Sequence, residues 1–462
     1  MYKSFQRWFI PLFIFIFTIS ACQPAPINTA TPSAQLTETP SVTSTPDGVN
    51  QIQVQKDALK GVTIQVWHPW FGVESNLFES QVRDFNQTNE WGITVQATSQ
   101  ITYGQLYENT TASLPTANRP QMVIALPENA LAWATDSYVV DLNAYINDTT
   151  YGISATDLKD FPTIFLTQDL IGGKRLGMPA ERSARLLLYD ASWARQLGFD
   201  TAPRTADELR QQACAAHQSM STAAAPTDSA LGGWLVDTNP QTALSWLTAF
   251  GGGALEGNNY RFLTPKNIAA LTFVKQLYDD GCAWYPQSDI NIPDAFAARK
   301  ALFASAGLED LTDFSRSMAT ANNADEWTVM SYPGDAQSAM TIYGSSYVVL
   351  NSTPEKQLAS WLFIRWLLAP ERQSKWVEIT GLLPLRNSEM DLLSDYKNTH
   401  PQWTAAAALI HNGQIQPQLA SWQKVRVLIG DGFDAMFRSN TPAGRVAEIL
   451  AIMDSTTSDL TK

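Results

Sequence analysis

The residues in this chain best suited to chemistry are aromatic rings that share the end of a predicted element with a charged or hydroxyl group. Trp422 and Arg426 stand at i and i+4 in Ser421-Trp-Gln-Lys-Val-Arg426, a spacing that puts both on one face of a helix. His68 and Trp70 follow a predicted strand, with Pro69 fixing the turn between them. Glu128 follows another strand that ends at Leu126, and Ser305 ends a strand over Ala301–Ser305. A ring can cover an apolar ligand face while carboxylate, guanidinium and hydroxyl groups hold its polar edge. That is recognition chemistry. Packing offers a rival for each residue: a core Trp, an Arg in a salt bridge, a Glu on a solvated surface. Bond-breaking chemistry has weaker support, since the chain has no GxSxG, HExxH or CxxC motif and no convincing carboxylate pair.

One thiol has a more definite fate. Lys3 and Arg7 precede an apolar stretch from Trp8 to Ile19, interrupted at Pro11 and Thr18. The stretch is shorter than the roughly 20 residues of a membrane-spanning helix and fits an export signal. It ends in Ile19-Ser20-Ala21-Cys22, which resembles the bacterial lipobox, whose cysteine takes a diacylglycerol thioether and becomes the N-terminus after cleavage. The expectation is a signal peptide over 1–22, lipidation of Cys22, and anchoring to the outer face of a bacterial cytoplasmic membrane. Residues 23–50 are dominated by Thr, Pro, Ser, Ala and Gln. They bury too little to offset their ordering entropy, so a tether is expected over 23–57.

About 400 residues remain, more than one core usually organises, so two domains are expected. The composition, 45% hydrophobic and 16% charged, is globular, and a net charge of −13 argues against nucleic acid as a partner. Fifteen Trp is high for this length; most must be core, but an excess of Trp also suits a carbohydrate-binding cleft. After Cys22 only Cys214 and Cys282 remain. An exported pair tends to bridge, and both lie near helix ends, in Ala206–Ala216 and just after Lys266–Asp280. A Cys214–Cys282 disulfide is therefore expected. The four His are scattered, and neither a metal nor a cofactor is expected.

These residues need a scaffold, and the pattern supplies one. Val62–Trp67 alternates as a half-buried strand, Leu77–Asn86 has helical spacing, and Ile93–Ala97 is a second strand. Helix Tyr103–Leu114, strand Met122–Leu126, strand Leu186–Tyr189 and helix Ala191–Leu197 continue the alternation, which argues for a parallel α/β sheet. Thr353-Pro354 opens a helix to Leu368, and a further helix runs from Pro370 to Thr380, closed by Gly381. Residues 401–456 read as helical, with a fresh start at Thr441-Pro442. Ala213–Ala230 reads as a helix end and loop.

The ordered set of motifs resembles the family 1 extracellular solute-binding proteins, the substrate receptors of ABC importers for sugars and glycerol phosphates. Val62–Phe71 with Phe85-Asn86 is similar to the first β-α unit of that family. Gln121–Ala125, Leu131–Asp136 and Tyr138–Leu142 follow its next stretch. Gly173–Pro179, Leu188–Asp190, Gly198 and Pro203–Leu209 resemble its "GklyGlP…lyYN…GL…P.TwdEL" pattern. Phe250–Gly253, Phe296–Ala306, Gly344–Val349 and Thr380–Pro384 complete it. Asp190 stands where the pattern has Asn, and Ala206 where it has Trp.

The resemblance implies an α/β, two-lobe periplasmic-binding-protein-like (type II) fold with a multi-segment hinge. Lobe 1 would comprise 58–178 and 346–395, and lobe 2 would comprise 179–345 and 396–462. It also implies ligand-binding roles for particular residues. Arg182 and Ser183 fall just past the first crossover, where the family places a ligand-binding Ser. Trp234, after Gly232-Gly233, falls where it often presents an aromatic residue. Gly344, Ser345 and Ser346 occupy the second crossover. Trp422 and Arg426 match a segment carrying a sugar-stacking aromatic or a ligand-contacting Arg. The implied partners are a mono- or oligosaccharide, the ABC permease and the membrane through the anchor, with the receptor monomeric and not an enzyme. A glycerol-phosphate ligand, an exported carbohydrate-active hydrolase and a surface protein for adhesion or sensing are the alternatives.

Overall fold

The computed structural model describes residues 52–223, 231–438 and 441–461. The expected signal peptide, Cys22 and nearly all of the tether lie outside the described residues. Among the described residues, no helix is long and apolar enough to cross a membrane.

Two sheets organise the chain. The first runs in the order Thr94–Ser99, Thr63–His68, Met122–Ala125, Ser346–Val349, Met178–Pro179. Its first three strands are parallel, as βαβ alternation requires. Helix Val73–Thr88 covers this sheet with Phe78, Val82 and Phe85, which repeat at helical spacing and are buried. The expectation of a parallel sheet stops there, because Ser346–Val349 is antiparallel to both its neighbours. The reason is topological: this strand arrives directly from the second sheet, through Gly344-Ser345.

The second sheet has eight strands around Ser183–Asp190 and Ser338–Tyr343. Ser183–Asp190 is buried along its whole length, so it has core on both faces. Ala184, Leu186 and Leu188 face a cluster that also takes in the first sheet, while Leu187 and Tyr189 face a second cluster with Trp234, Trp246 and Trp422. Successive side chains on a strand point to opposite faces, which is how one strand serves both clusters.

The two sheets are joined by two extended crossings lying side by side. Ala180 N–H and Glu181 N–H both donate to Ser345 O, at 3.0 and 3.3 Å. A third segment joins them where Leu383 N–H donates to Arg182 O at 2.8 Å. Gly344 is required in the second crossing: φ is 144°, and a Cβ there would lie 2.2 Å from Glu181 O.

Helix Pro354–Leu367 begins with Pro354 after Thr353, and Gly381 ends helix Pro370–Thr380 in the left-handed conformation. Residues 401–456 are less uniformly helical than their pattern suggests. Helix Pro401–Ala408 stops, strand Gly413–Ile415 joins the second sheet, and helix Trp422–Met436 follows. The last helix starts at Val446 rather than at Thr441, after a 3-10 turn over Ala443–Arg445. Cys214 and Cys282 form a disulfide with Cα atoms 4.4 Å apart, tying helix Ala206–Ala223 to the strand end at Ala283.

Candidate ligand-binding site

A cavity of about 410 Å³ lies between the two sheets. Its lining comes from the ends of elements. Trp70 and Phe71 follow the first strand, Tyr103 opens the helix after Thr94–Ser99, and Glu128 opens the helix after Met122–Ala125. Glu181, Ser183, Tyr343 and Gly344 come from the crossings, and Glu309 follows strand Phe303–Gly307. Gln416, Pro417 and Gln418 come from the loop after Gly413–Ile415, and Arg426 from the helix beyond it.

Trp70 is 7% exposed and donates its indole N–H to Glu181 Oε2 at 3.0 Å. Glu181 Oε1 accepts from Ser345 Oγ at 3.0 Å and from the Tyr103 hydroxyl. Burial raises the Glu181 carboxyl above its usual range; these three donors oppose the shift and nearby Glu309 adds to it. Glu309 accepts from Ser183 Oγ at 2.5 Å and from the Tyr343 hydroxyl at 2.7 Å. Both carboxylates are thus held as acceptors by side chains of the wall. Arg426 Nη1 is 3.1 Å from Glu128 Oε1. Gln418 ties the two sides together: its amide donates to Thr167 O, Gln168 O and Leu170 O at 2.8, 2.9 and 3.3 Å.

Of the residues singled out in the sequence, the structure brings Trp70, Glu128, Ser183, Gly344 and Arg426 onto this lining. The others are placed elsewhere. His68 is wholly buried against Trp70 and Phe78, because it is the inward-facing last residue of its strand. Arg182 is wholly buried and pins the crossings, donating to Ser345 O at 2.6 Å and pairing with Asp169 at 2.7 Å. Ser345 and Ser346 are also buried, the first bonded to Glu181 and the second to Asp169 Oδ1 at 2.6 Å. Trp234 is wholly buried, with its indole N–H 3.3 Å from Ser305 Oγ, so these two satisfy each other inside the lobe.

Trp422 is 1% exposed. It belongs to the buried stripe Trp422, Val425, Ile429, Phe433 and Met436, whereas Arg426 lies at the edge of that stripe. Helical spacing places both on one side but does not say which reaches the cleft. Trp422 nonetheless holds a wall residue, donating to Gln416 Oε1 at 2.7 Å.

Phe71, Tyr103, Glu181, Glu309 and Tyr343 were not singled out in the sequence. Tyr103 and Glu309 sit after strands, so the rule that selected Trp70 and Glu128 could have found them. Gln416 and Gln418 had no signal, because their segment read as helix.

The comparisons with known proteins agree with this architecture. Residues 80–409 match the family described as bacterial extracellular solute-binding protein. A binding protein of Brucella abortus (strain 2308) is 21% identical over 313 residues, covering 64% of this chain and 69% of its own length. The sugar-binding protein MalE from Xanthomonas citri superposes with a TM-score of 0.74 at 20% identity, covering 86% of this chain and 98% of the other. The cyclic alpha-maltosyl-1,6-maltose binding protein from Arthrobacter globiformis gives 0.71 at 19%, and UgpB from Mycobacterium tuberculosis, solved with glycerophosphocholine, gives 0.68 at 18%, with the same coverage. The fold is the two-lobe type II periplasmic-binding-protein fold. The chain belongs to the bacterial extracellular solute-binding proteins, whose place of work is outside the cytoplasm.

Proposed function

We propose that this protein is the substrate-binding lipoprotein of an ABC importer, which captures a carbohydrate between its lobes and delivers it to the permease. The observation that carries this reading is the composition of the cavity wall. Trp70, Phe71, Tyr103 and Tyr343 bring aromatic rings to the lining, and Ser183, Gln241, Gln416 and Gln418 bring polar groups. Rings for the C–H face of a sugar and fixed polar groups for its hydroxyls are the two things such a ligand needs. The structural neighbours named for sugars support the same ligand class. A glycerol-phosphate ligand is less well served. Arg426 is the one cation on the lining among the described residues, and it is already paired with Glu128.

A thermal-shift screen of the purified protein with mono- and oligosaccharides and glycerol phosphates tests the reading. A sugar that raises the midpoint without forming product supports it, and sustained product formation sinks it. For the anchor, the support is the Ile19–Cys22 motif. A diacylglycerol-modified Cys22 at the mature N-terminus is the expected mass, and an unlipidated N-terminus overturns the anchor.

A further inference from the structure

The charges around the cavity do not balance. Three arginines stand at or just behind its wall, and each already faces a carboxylate. Arg426 pairs with Glu128 at 3.1 Å, Arg182 with Asp169 at 2.7 Å and Arg185 with Asp237 at 2.6 Å. On the lining itself, Glu74, Glu181 and Glu309 have no ion-pair partner among the described residues, and Glu181 and Glu309 lie near each other. They repel each other through space, and both are fixed as acceptors by neighbouring hydroxyl and indole groups. Glu128 is 6% exposed, and its Oε1 is ion-paired with Arg426 without a hydrogen bond between them. Rings of Trp70, Tyr103 and Tyr343 border Glu181 and Glu309 through hydrogen bonds to them.

A wall of this kind suits a cation. An ammonium leaving water needs charged partners to offset its desolvation. A neutral sugar would leave the repulsion between Glu181 and Glu309 offset only by Arg182 behind the wall, and a phosphate would add to it. We propose that the ligand is a saccharide carrying a free, protonated amine, with the ammonium seated between Glu181 and Glu309. This rests on the carbohydrate reading above and narrows it to amino sugars whose nitrogen is not acylated.

Titration calorimetry of the whole protein at low salt tests this with matched sets. The sets are glucose, glucosamine and N-acetylglucosamine; galactose, galactosamine and N-acetylgalactosamine; and cellobiose, the glucosamine dimer and di-N-acetylchitobiose. In at least one set the amine should bind about tenfold or more tighter than its neutral and acetylated counterparts. That preference should shrink as salt is raised. It should also collapse in Glu309→Gln, whose site is exposed at the surface and whose fold is checked by its melting midpoint. A neutral sugar that binds as tightly as its amine in every set, or a preference that survives Glu309→Gln, overturns the proposal and leaves the carbohydrate reading intact. No binding by any sugar, with glycerol phosphates binding instead, sinks both.

Discussion

Arg426 reaches from the helix Trp422–Met436 to within 3.1 Å of Glu128, at the start of the helix after strand Met122–Ala125. The pair therefore joins the two sides of the cleft. Glu128 is 6% exposed on its side chain and Arg426 23%, so the contact lies between the surface and buried extremes. Arg426→Ala leaves a buried carboxylate without its cation and should cost on the order of 2 kcal/mol. The double change Glu128→Gln/Arg426→Ala should recover part of this. Urea denaturation of the four species gives the coupling energy, and additive single effects would mean the pair contributes nothing.

Asp190 ends the central strand of the second sheet, at the opposite end from the crossing. Its Oδ1 caps helix Ala191–Gln196 by accepting from Trp193 N–H at 2.8 Å, and its carboxyl shares a hydrogen bond with Asp325. Burial, with Asp325 adding to it, raises its carboxyl to about 6, and Asp325 is itself kept ionised by Arg299 at 2.6 Å. A raised folded-state value means stability that is present below the unfolded value of 3.8 and lost as pH rises through 6. Asp190→Asn keeps the cap and needs no proton. It should be more stable at pH 8, with the gap closing toward pH 4. A pH-independent difference in denaturation midpoints would count against this.

His68 carries the opposite sign. Its two ring nitrogens have no hydrogen-bond partner, and burial lowers its pKa from 6.5 to about 4. Between those values the unfolded chain binds the proton that the folded chain refuses. Stability should therefore fall as the solution is acidified from pH 6.5 to 4, by about 3 kcal/mol from this group. His68→Phe should flatten that part of the profile. If the variant keeps the wild-type slope, His68 is not its source.

The Cys214–Cys282 bridge closes a loop across a sequence separation of 68. By chain entropy, constraining a loop of that length in the unfolded state is worth about 4 kcal/mol. Reduction, or Cys214→Ser with Cys282→Ser, should lower the melting midpoint clearly without changing the fold. A midpoint insensitive to reductant would show that the bridge does not bear on stability.

The strand and helix pattern was legible where local signals were strong. Thr353-Pro354 and Gly381 marked helix ends because Pro and Gly restrict the backbone locally. The Cys pair was legible from compartment and position. The cavity was legible at Trp70 and Glu128, since each follows a strand that points at the cleft. It was not legible at Trp422, whose burial depends on which edge of a helical stripe meets the core. Nor was it legible at Glu181 beside Arg182, where only the paired crossings decide that one side chain enters the cavity and the other stays behind it. Residues 413–418 misled because a three-residue strand is too short to show a period.

The tryptophans are unevenly distributed in what they can sense. Trp234, Trp246, Trp361 and Trp422 are sealed in cores. Trp70 is the tryptophan on the cavity wall among the described residues, and its N–H is hydrogen-bonded to a carboxylate there. A ligand that reaches Glu181 should perturb this indole and, through it, Trp376, whose ring centroid lies 4.5 Å away. The molecule thus contains its own optical gauge of occupancy, readable as a change in intrinsic emission without any attached dye.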